Sequence, residues 1–396
     1  MEEAENHPAL TQVPNFSEWA TMTTEIMELG IVSSIEHNKP SEILLFQPEF
    51  TYPIFGSHET AFGYKDLTIK ILFAAGSLRT YLNIDYSSKY QQSSSSKCGD
   101  STVSADDLFG ALKKHMAPDT TTNYDTFLQG VQQDITSFTP LGEKVYEYQL
   151  ENDHGEEEVF EIYKCSLNYP KFREYHRRMQ FFVLLFIEGS SYIEEDDEKW
   201  EIYTLYQKEK SSDSYIYTFI GYSSAYPFYC WPEQIRMRIS QFLILPPYQN
   251  RGHGHQLYQT IYEIFSKRSD VCEITVEDPN ESFSDLRDKC DLRYLQEHNA
   301  FKDINLPIPQ DTIQYLQKQF KLTNRQINGC VEMYLLSKLN KLDKELYKSF
   351  RLQVKQRLFK FNYDTLQELE PDVRKEKLHE TYCSVEQDYH RLLERL

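Results

Sequence analysis

The chain has 396 residues, with 42 lysines and arginines against 61 aspartates and glutamates, and a net charge of −19. That length exceeds one ordinary core and predicts two or three domains. The charge argues against binding nucleic acid through its phosphates and favours a basic partner or substrate, although taken alone it is better read as solubility.

Seven widely spaced cysteines with no C-x-x-C predict reduced thiols, not a disulfide framework or a zinc site. The acidic start Met1-Glu-Glu-Ala-Glu-Asn is no secretory or mitochondrial signal. The longest apolar run, 181–187, is too short to cross a bilayer. A soluble intracellular protein without a membrane partner is expected.

Residues 1–170 read as a mixed α/β domain. A helix is expected over 15–27, and 67–73 and 78–86 alternate like strands. A polar low-complexity loop, 86–100, contains four successive serines. Ser104-Ala-Asp-Asp-Leu-Phe-Gly-Ala-Leu-Lys-Lys reads as a capped helix. Strands over 144–150 and 159–165 flank an acidic tip.

Residues 171–300 carry the chemistry. A helical segment, 173–188, becomes very apolar towards its end, and 194–198 is a solvated acidic turn. Strands follow over 200–206, 215–222 and 236–245. A glycine turn, a helix over 255–267 and a strand over 272–277 come next. Asp278-Pro279-Asn280 breaks that strand, and a helix starts at Glu281. This order is α+β.

Residues 301–396 read as a helical domain. Thr323-Asn-Arg-Gln326 is a capping box. The basic amphipathic stretch 348–360 carries Phe350, Leu352, Val354, Leu358 and Phe359, and is read as a helix docked on the core with a solvated basic face. Weak heptads over 375–396 suggest a terminal helical pair.

The run Phe242-Leu-Ile-Leu-Pro-Pro-Tyr-Gln-Asn-Arg-Gly-His-Gly254 is the most informative. An apolar strand ends in two prolines, and a Q-x-x-G-x-G turn opens into a helix. Unsatisfied N–H groups at such an end form an anion site, which two glycines let a pyrophosphate approach. The Rossmann fingerprint lacks its third glycine, and the P-loop lacks Gly-Lys-Ser/Thr. A strand ending in Glu277-Asp-Pro follows about twenty residues later.

This order resembles motif A of the GNAT superfamily of acetyl-CoA-dependent N-acetyltransferases. Gln241-Phe-Leu-Ile-Leu-Pro-Pro-Tyr-Gln-Asn-Arg-Gly-His-Gly-His-Gln-Leu257 and Ile274-Thr-Val-Glu-Asp-Pro-Asn-Glu-Ser-Phe-Ser-Asp-Leu-Arg-Asp288 are similar to the type B histone acetyltransferase catalytic subunits. So are Phe172-Arg-Glu-Tyr-His, Phe186-Ile-Glu188, Asp196-Asp-Glu-Lys-Trp200, Pro48-Glu-Phe, Phe55-Gly and Glu59-Thr-Ala-Phe-Gly-Tyr-Lys65. The resemblance implies a GNAT core over 171–300 between N- and C-terminal domains. It implies acetyl-CoA as cosubstrate and the tail of free histone H-four, with histone H-two-A a further possibility, as acceptor. It also implies a WD-repeat histone-binding partner and a nuclear and cytoplasmic location.

The backbone of Phe242, Leu243 and Ile244 would then hold the pantetheine arm, with an N–H near Leu243 or Ile244 as oxyanion donor. Gln249, Asn250, Arg251, Gly252, His253 and Gly254 would hold the pyrophosphate. Asn280 and Phe283 would touch cofactor, with a helix cap and a packing aromatic as their other readings. Ser57, His58 and Glu59 match the family's tail-binding positions, as do Tyr226, Pro227 and Phe228, with plain core aromatics as the other reading of Tyr226 and Phe228. The first group is less acidic than the family's version.

Glu277 is the candidate general base. Making a lysine amine neutral at pH 7 costs about 4.6 kcal/mol, and a partly buried carboxylate would take its proton more readily. Asp278 and Glu188 would orient the amine or relay the proton. Glu188 draws attention because it closes an apolar helix. Cys272 offers an acetyl-cysteine route, but its strand parity opposes that of Glu277. His253 and His255 alone are too few for a metal. A histone escort with acetyl-CoA as structural ligand, and a small-amine acetyltransferase, are the competing functions.

Overall fold

The computed structural model describes residues 16–36, 39–91, 104–152, 154–211, 214–302, 304–340, 342–394 and 396. Its N-terminal sheet contains β1 (Met27–Glu36), β2 (Lys39–Phe46), β3 (Thr68–Ala74) and β4 (Thr80–Asp85), in the order β2-β1-β3-β4. β1 and β3 run parallel and the other pairs antiparallel. Helix α1 (Tyr124–Ser137) packs on this sheet through Phe127, Leu128 and Val131.

The segment expected as one helix, 15–27, is over its described residues instead a 3-10 turn, a three-residue strand and one short helical turn before β1. The capped helix is confirmed over Leu108–Lys113, with Asp107 accepting the Gly110 N–H at 2.9 Å. Most of the polar loop over 86–100 lies outside the described residues.

The second sheet has six strands: β5 (Glu143–Glu151), β6 (Glu157–Ser166), β7 (Glu201–Lys210), β8 (Tyr215–Cys230), β9 (Gln234–Ile244) and β10 (Val271–Val276). They lie in sequence order, antiparallel except for β9 and β10. This parallel pair needs a crossover connection, and α3 (His253–Lys267) supplies it. The expected division at 170 cuts this sheet, because β5 and β6 pair directly with the strands that carry the chemistry.

The apolar segment after α2 (Pro170–Met179) continues as a 3-10 turn and a short helix ending at Phe186. The long C-terminal helices are α4 (Glu281–Glu297), α5 (Gln310–Phe320), α6 (Asn324–Lys338), α7 (Lys344–Phe361) and α8 (Pro371–Leu393), with a short helix Tyr363–Gln367 between the last two. The expected terminal pair is the single helix α8. Helix α7 docks through Phe350, Val354 and Leu358, while Leu352 stays exposed. Arg357 turns inward to Glu332 with bonds of 2.6 and 2.7 Å. The capping box at α6 is half formed. Thr323 accepts the Gln326 N–H, but the Gln326 side chain donates to Asp288 instead.

One buried apolar cluster spans Met27 to Leu392 and includes residues of all three regions. Two chain crossings explain how. The Phe219 N–H donates to Ala75 O at 2.8 Å, linking the sheets. The Ile274 N–H donates to Lys321 O at 2.7 Å, so the C-terminal region covers the outer edge of β10.

Candidate active site

β9 and β10 pair only from Ile235–Val271 to Ile239–Val276. The last link is Glu277 N–H to Ile239 O, 2.9 Å. Beyond it β9 runs on to Ile244 while β10 leaves, so a V-shaped gap opens along 240–244. On its other side β9 still pairs with β8. Leu245 N–H donates to Ile220 O, and Gln241 N–H to the Ser224 hydroxyl at a β-bulge, 3.1 Å.

Antiparallel ladders alternate. The N–H of Leu243 therefore also faces β8, whereas Phe242 and Ile244 present theirs to the gap. The Ile244 carbonyl accepts from Gln249 Nε2 at 2.9 Å, tying the glycine turn to the strand end.

Asn250 (φ 60) and Gly252 (φ 92) take left-handed conformations and turn the chain into α3. Among the described residues no side chain caps this helix end. Its first intrahelical bond among the described backbone is Gln256 N–H to Gly252 O, so the preceding N–H groups point outward. These groups fit a pyrophosphate, and the gap fits an extended amide-bearing arm.

Arg251 pairs with Glu158 of β6 at 2.9 Å, so its charge is shared before any ligand arrives. His253 is buried against Phe160 and bonded through Nδ1 to the Tyr148 hydroxyl at 2.9 Å. Burial and the Arg251 charge lower its pKa to about 4. His255 pairs with the Cys290 sulfur at 3.0 Å. The two imidazoles thus turn to different partners.

Asn280 caps α4, accepting the Phe283 N–H at 2.8 Å. The Phe283 ring packs on Phe242 and Tyr258. Their structural readings hold in this geometry.

Glu277 stands at the mouth of the gap, bonded by the Ser240 hydroxyl at 2.5 Å. The partial burial expected of it is absent, for the side chain is exposed. Asp278 is exposed too, with φ 31 where the strand ends. Glu188 lies in an exposed turn past the apolar helix it was expected to close, so its carboxylate stays in solvent. That turn is tied down on both sides. The Gly189 N–H donates to the Tyr52 hydroxyl at 2.7 Å, and Gln241 Nε2 donates to Ser191 O at 2.9 Å. Residues 188–191 and 277–278 are therefore both anchored at Ser240 and Gln241 of β9. No cationic side chain among the described residues pairs with Glu277, Asp278 or Glu188.

Cys272 donates to Ile235 O at 3.3 Å, and burial raises its pKa to about 11, which disfavours the thiolate that nucleophilic attack requires.

The N-terminal loop is built around Glu59. Its carboxylate accepts from the Thr51 N–H, the Thr51 hydroxyl and the Tyr52 N–H. Ser57 and His58 form an exposed tip. On β8, Tyr226 donates to Asp197 at 2.7 Å and packs edge-on against Trp200 and Phe228. The Arg238 guanidinium sits 4.5 Å over the Phe228 ring. Pro227 is tolerated because β7 stops pairing with β8 at Ala225, leaving an edge. Sequence reasoning missed Ser240, Gln241 and Tyr52. The available signal was polar residues on or beside otherwise apolar, buried segments.

This splayed parallel pair, with a glycine turn and helix at its end, defines a GNAT acetyltransferase, whose acetyl donor is acetyl-CoA. Residues 157–283 match the model of the acetyltransferase (GNAT) family. Residues 19–188 match histone acetyl transferase HAT1 N-terminus, and 288–341 match fungal HAT1, C-terminal. The chain belongs to the family of type B histone acetyltransferase catalytic subunits. It is 41% identical to that subunit of Cryptococcus neoformans var. neoformans serotype D (strain JEC21 / ATCC MYA-565), over 95% of this chain and 97% of the relative. Identity to the Homo sapiens subunit is 32%, over 96% and 94%. A solved aminoglycoside acetyltransferase from an uncultured soil metagenomic sample aligns with 35% of this chain and 86% of its own, at 13% identity and a TM-score of 0.23.

Proposed function

We propose that the chain transfers acetyl directly from acetyl-CoA to lysine side chains in the N-terminal tail of free histone H-four, with Glu277 as general base. Histone H-two-A is a further acceptor on this reading. The observation that carries it is the carboxylate without a cationic partner at the mouth of the β9–β10 gap.

Acetyl-CoA would supply the acetyl group as a thioester, the new C–N bond replacing its C–S bond and coenzyme A leaving as a thiolate that takes up a proton. An incoming lysine ammonium must lose its proton to attack, and Glu277 can take that proton directly or through a water. The gap-facing N–H groups of Phe242 and Ile244 are the donors aimed where negative charge develops on the carbonyl oxygen. Asp278 and Glu188 add negative potential that draws the ammonium in. On the family resemblance, the Tyr226–Phe228 aromatics and the loop around Glu59 would flank the approach of a basic peptide. Family membership is also the ground for proposing a WD-repeat histone-binding partner and residence in both nucleus and cytoplasm.

Glu277→Gln tests the assignment. Turnover on a histone H-four tail peptide should fall by about 100-fold or more, while acetyl-CoA affinity by calorimetry stays at the wild-type value. Wild-type turnover in that variant would refute the role given to Glu277.

A further inference from the structure

Ser240 is the first residue of β9 left without a β10 partner, since the register ends at Ile239–Val276. Glu277 is the first residue of the chain leaving β10. The two side chains meet where the strands part, with Ser240 Oγ 2.5 Å from Glu277 Oε2. An ionised carboxylate only accepts, so the serine hydroxyl is the donor.

This bond is not needed to join the strands. The backbone bond from Glu277 N–H to Ile239 O already does that at 2.9 Å. What the hydroxyl adds is control of the side chain. An exposed glutamate has several rotatable bonds and no fixed direction. A bond to one oxygen ties the carboxylate to the strand whose next residues line the gap. The other oxygen is left to accept from an amine, and no lysine, arginine or histidine among the described residues pairs with it.

We infer that Ser240 is a positioning residue for acetyl transfer, holding the Glu277 carboxylate against β9 so that its second oxygen meets the incoming lysine amine. The inference rests on the reading of Glu277 as the base.

The experiment compares full-length Ser240→Ala, Ser240→Cys, Ser240→Thr, Glu277→Gln and the double variant Ser240→Ala/Glu277→Gln. It measures kcat, KM for acetyl-CoA and for tail peptide, and Tm. Ser240→Ala should lower kcat about tenfold, the rate equivalent of one hydrogen bond to a charged group, with KM for acetyl-CoA unchanged. Ser240→Cys, close in size but a weak donor, should lose as much, so a folding failure of the alanine variant leaves the question answerable. Ser240→Thr should recover most of the rate. In the Glu277→Gln background, Ser240→Ala should cost nothing further. A wild-type kcat in Ser240→Ala or Ser240→Cys, beside a slow Glu277→Gln, overturns the role of Ser240 alone. A lowered Tm with unchanged kcat does the same, for it marks a purely structural bond. A wild-type rate in Glu277→Gln overturns the base assignment and this inference together.

Discussion

Gly252 and Gly254 stand one residue apart in the turn, yet each is required for a different reason. At Gly252 a Cβ would meet only Leu150, at 3.9 Å, so space is available. Its φ of +92 is the constraint. At Gly254 the backbone is helical, but a Cβ would come within 3.2 Å of Leu286 on α4. Gly252→Ala should therefore strain the turn that aims the helix N–H groups. About 1 kcal/mol of strain corresponds to roughly fivefold weaker acetyl-CoA binding. Calorimetry should show that loss while kcat at saturating cofactor stays near wild type. Unchanged affinity would mean that the turn does not set the pyrophosphate contact.

The loop over 51–59 behaves as one element, closed by the Glu59 carboxylate on the Thr51 and Tyr52 N–H groups. Tyr52 in turn holds the turn that bears Glu188, through Gly189. Glu59→Ala should thus cost about 1–2 kcal/mol of stability, as two N–H groups lose a charged acceptor, and should also raise KM for the tail peptide. Thermal unfolding and peptide kinetics check both. A raised KM at unchanged Tm would instead make Glu59 a direct peptide contact. The sequence showed Glu59 as a charge in a family position but could not show its partners, since these depend on a loop folding back on itself. Elements with strong local punctuation were legible in advance, such as β9, the prolines after it, the glycine turn and α3. β1 and β2 were not, because β1 owes its place to parallel pairing with β3, about forty residues away. The strand pairing across residue 170 was hidden for the same reason. Nothing local to β6 says that it will pair with β7 across α2.

At the scale of the molecule, one buried cluster reaches all three regions, and each buried titratable group adds its own term to the pH dependence of stability. His176 is fully buried, with neither ring nitrogen bonded among the described residues, and desolvation lowers its pKa to about 4. His253 is lowered to a similar value by burial and by Arg251. Unfolded imidazoles take protons near pH 6.5, well above these folded values. Between about pH 6.5 and 4 the unfolded state therefore binds more protons, and stability falls as the pH is lowered. Asp291 acts in the opposite sense. Burial pushes its carboxyl up to about 6, above its unfolded value, so the folded state holds the extra proton between about pH 4 and 6. It offsets part of the loss, as do Glu49, Asp134 and Asp288, which burial also raises. His115 and His255, lowered by burial, add to the loss, and the largest shifts in this window are those of the imidazoles His176 and His253. Tm should drop as the pH goes from 7 to 4.5. His176→Phe, which keeps a ring and cannot take a proton, should flatten that drop. Asp291→Asn should steepen it below pH 6. An unchanged slope in His176→Phe would show that His176 is not a source of the acid sensitivity.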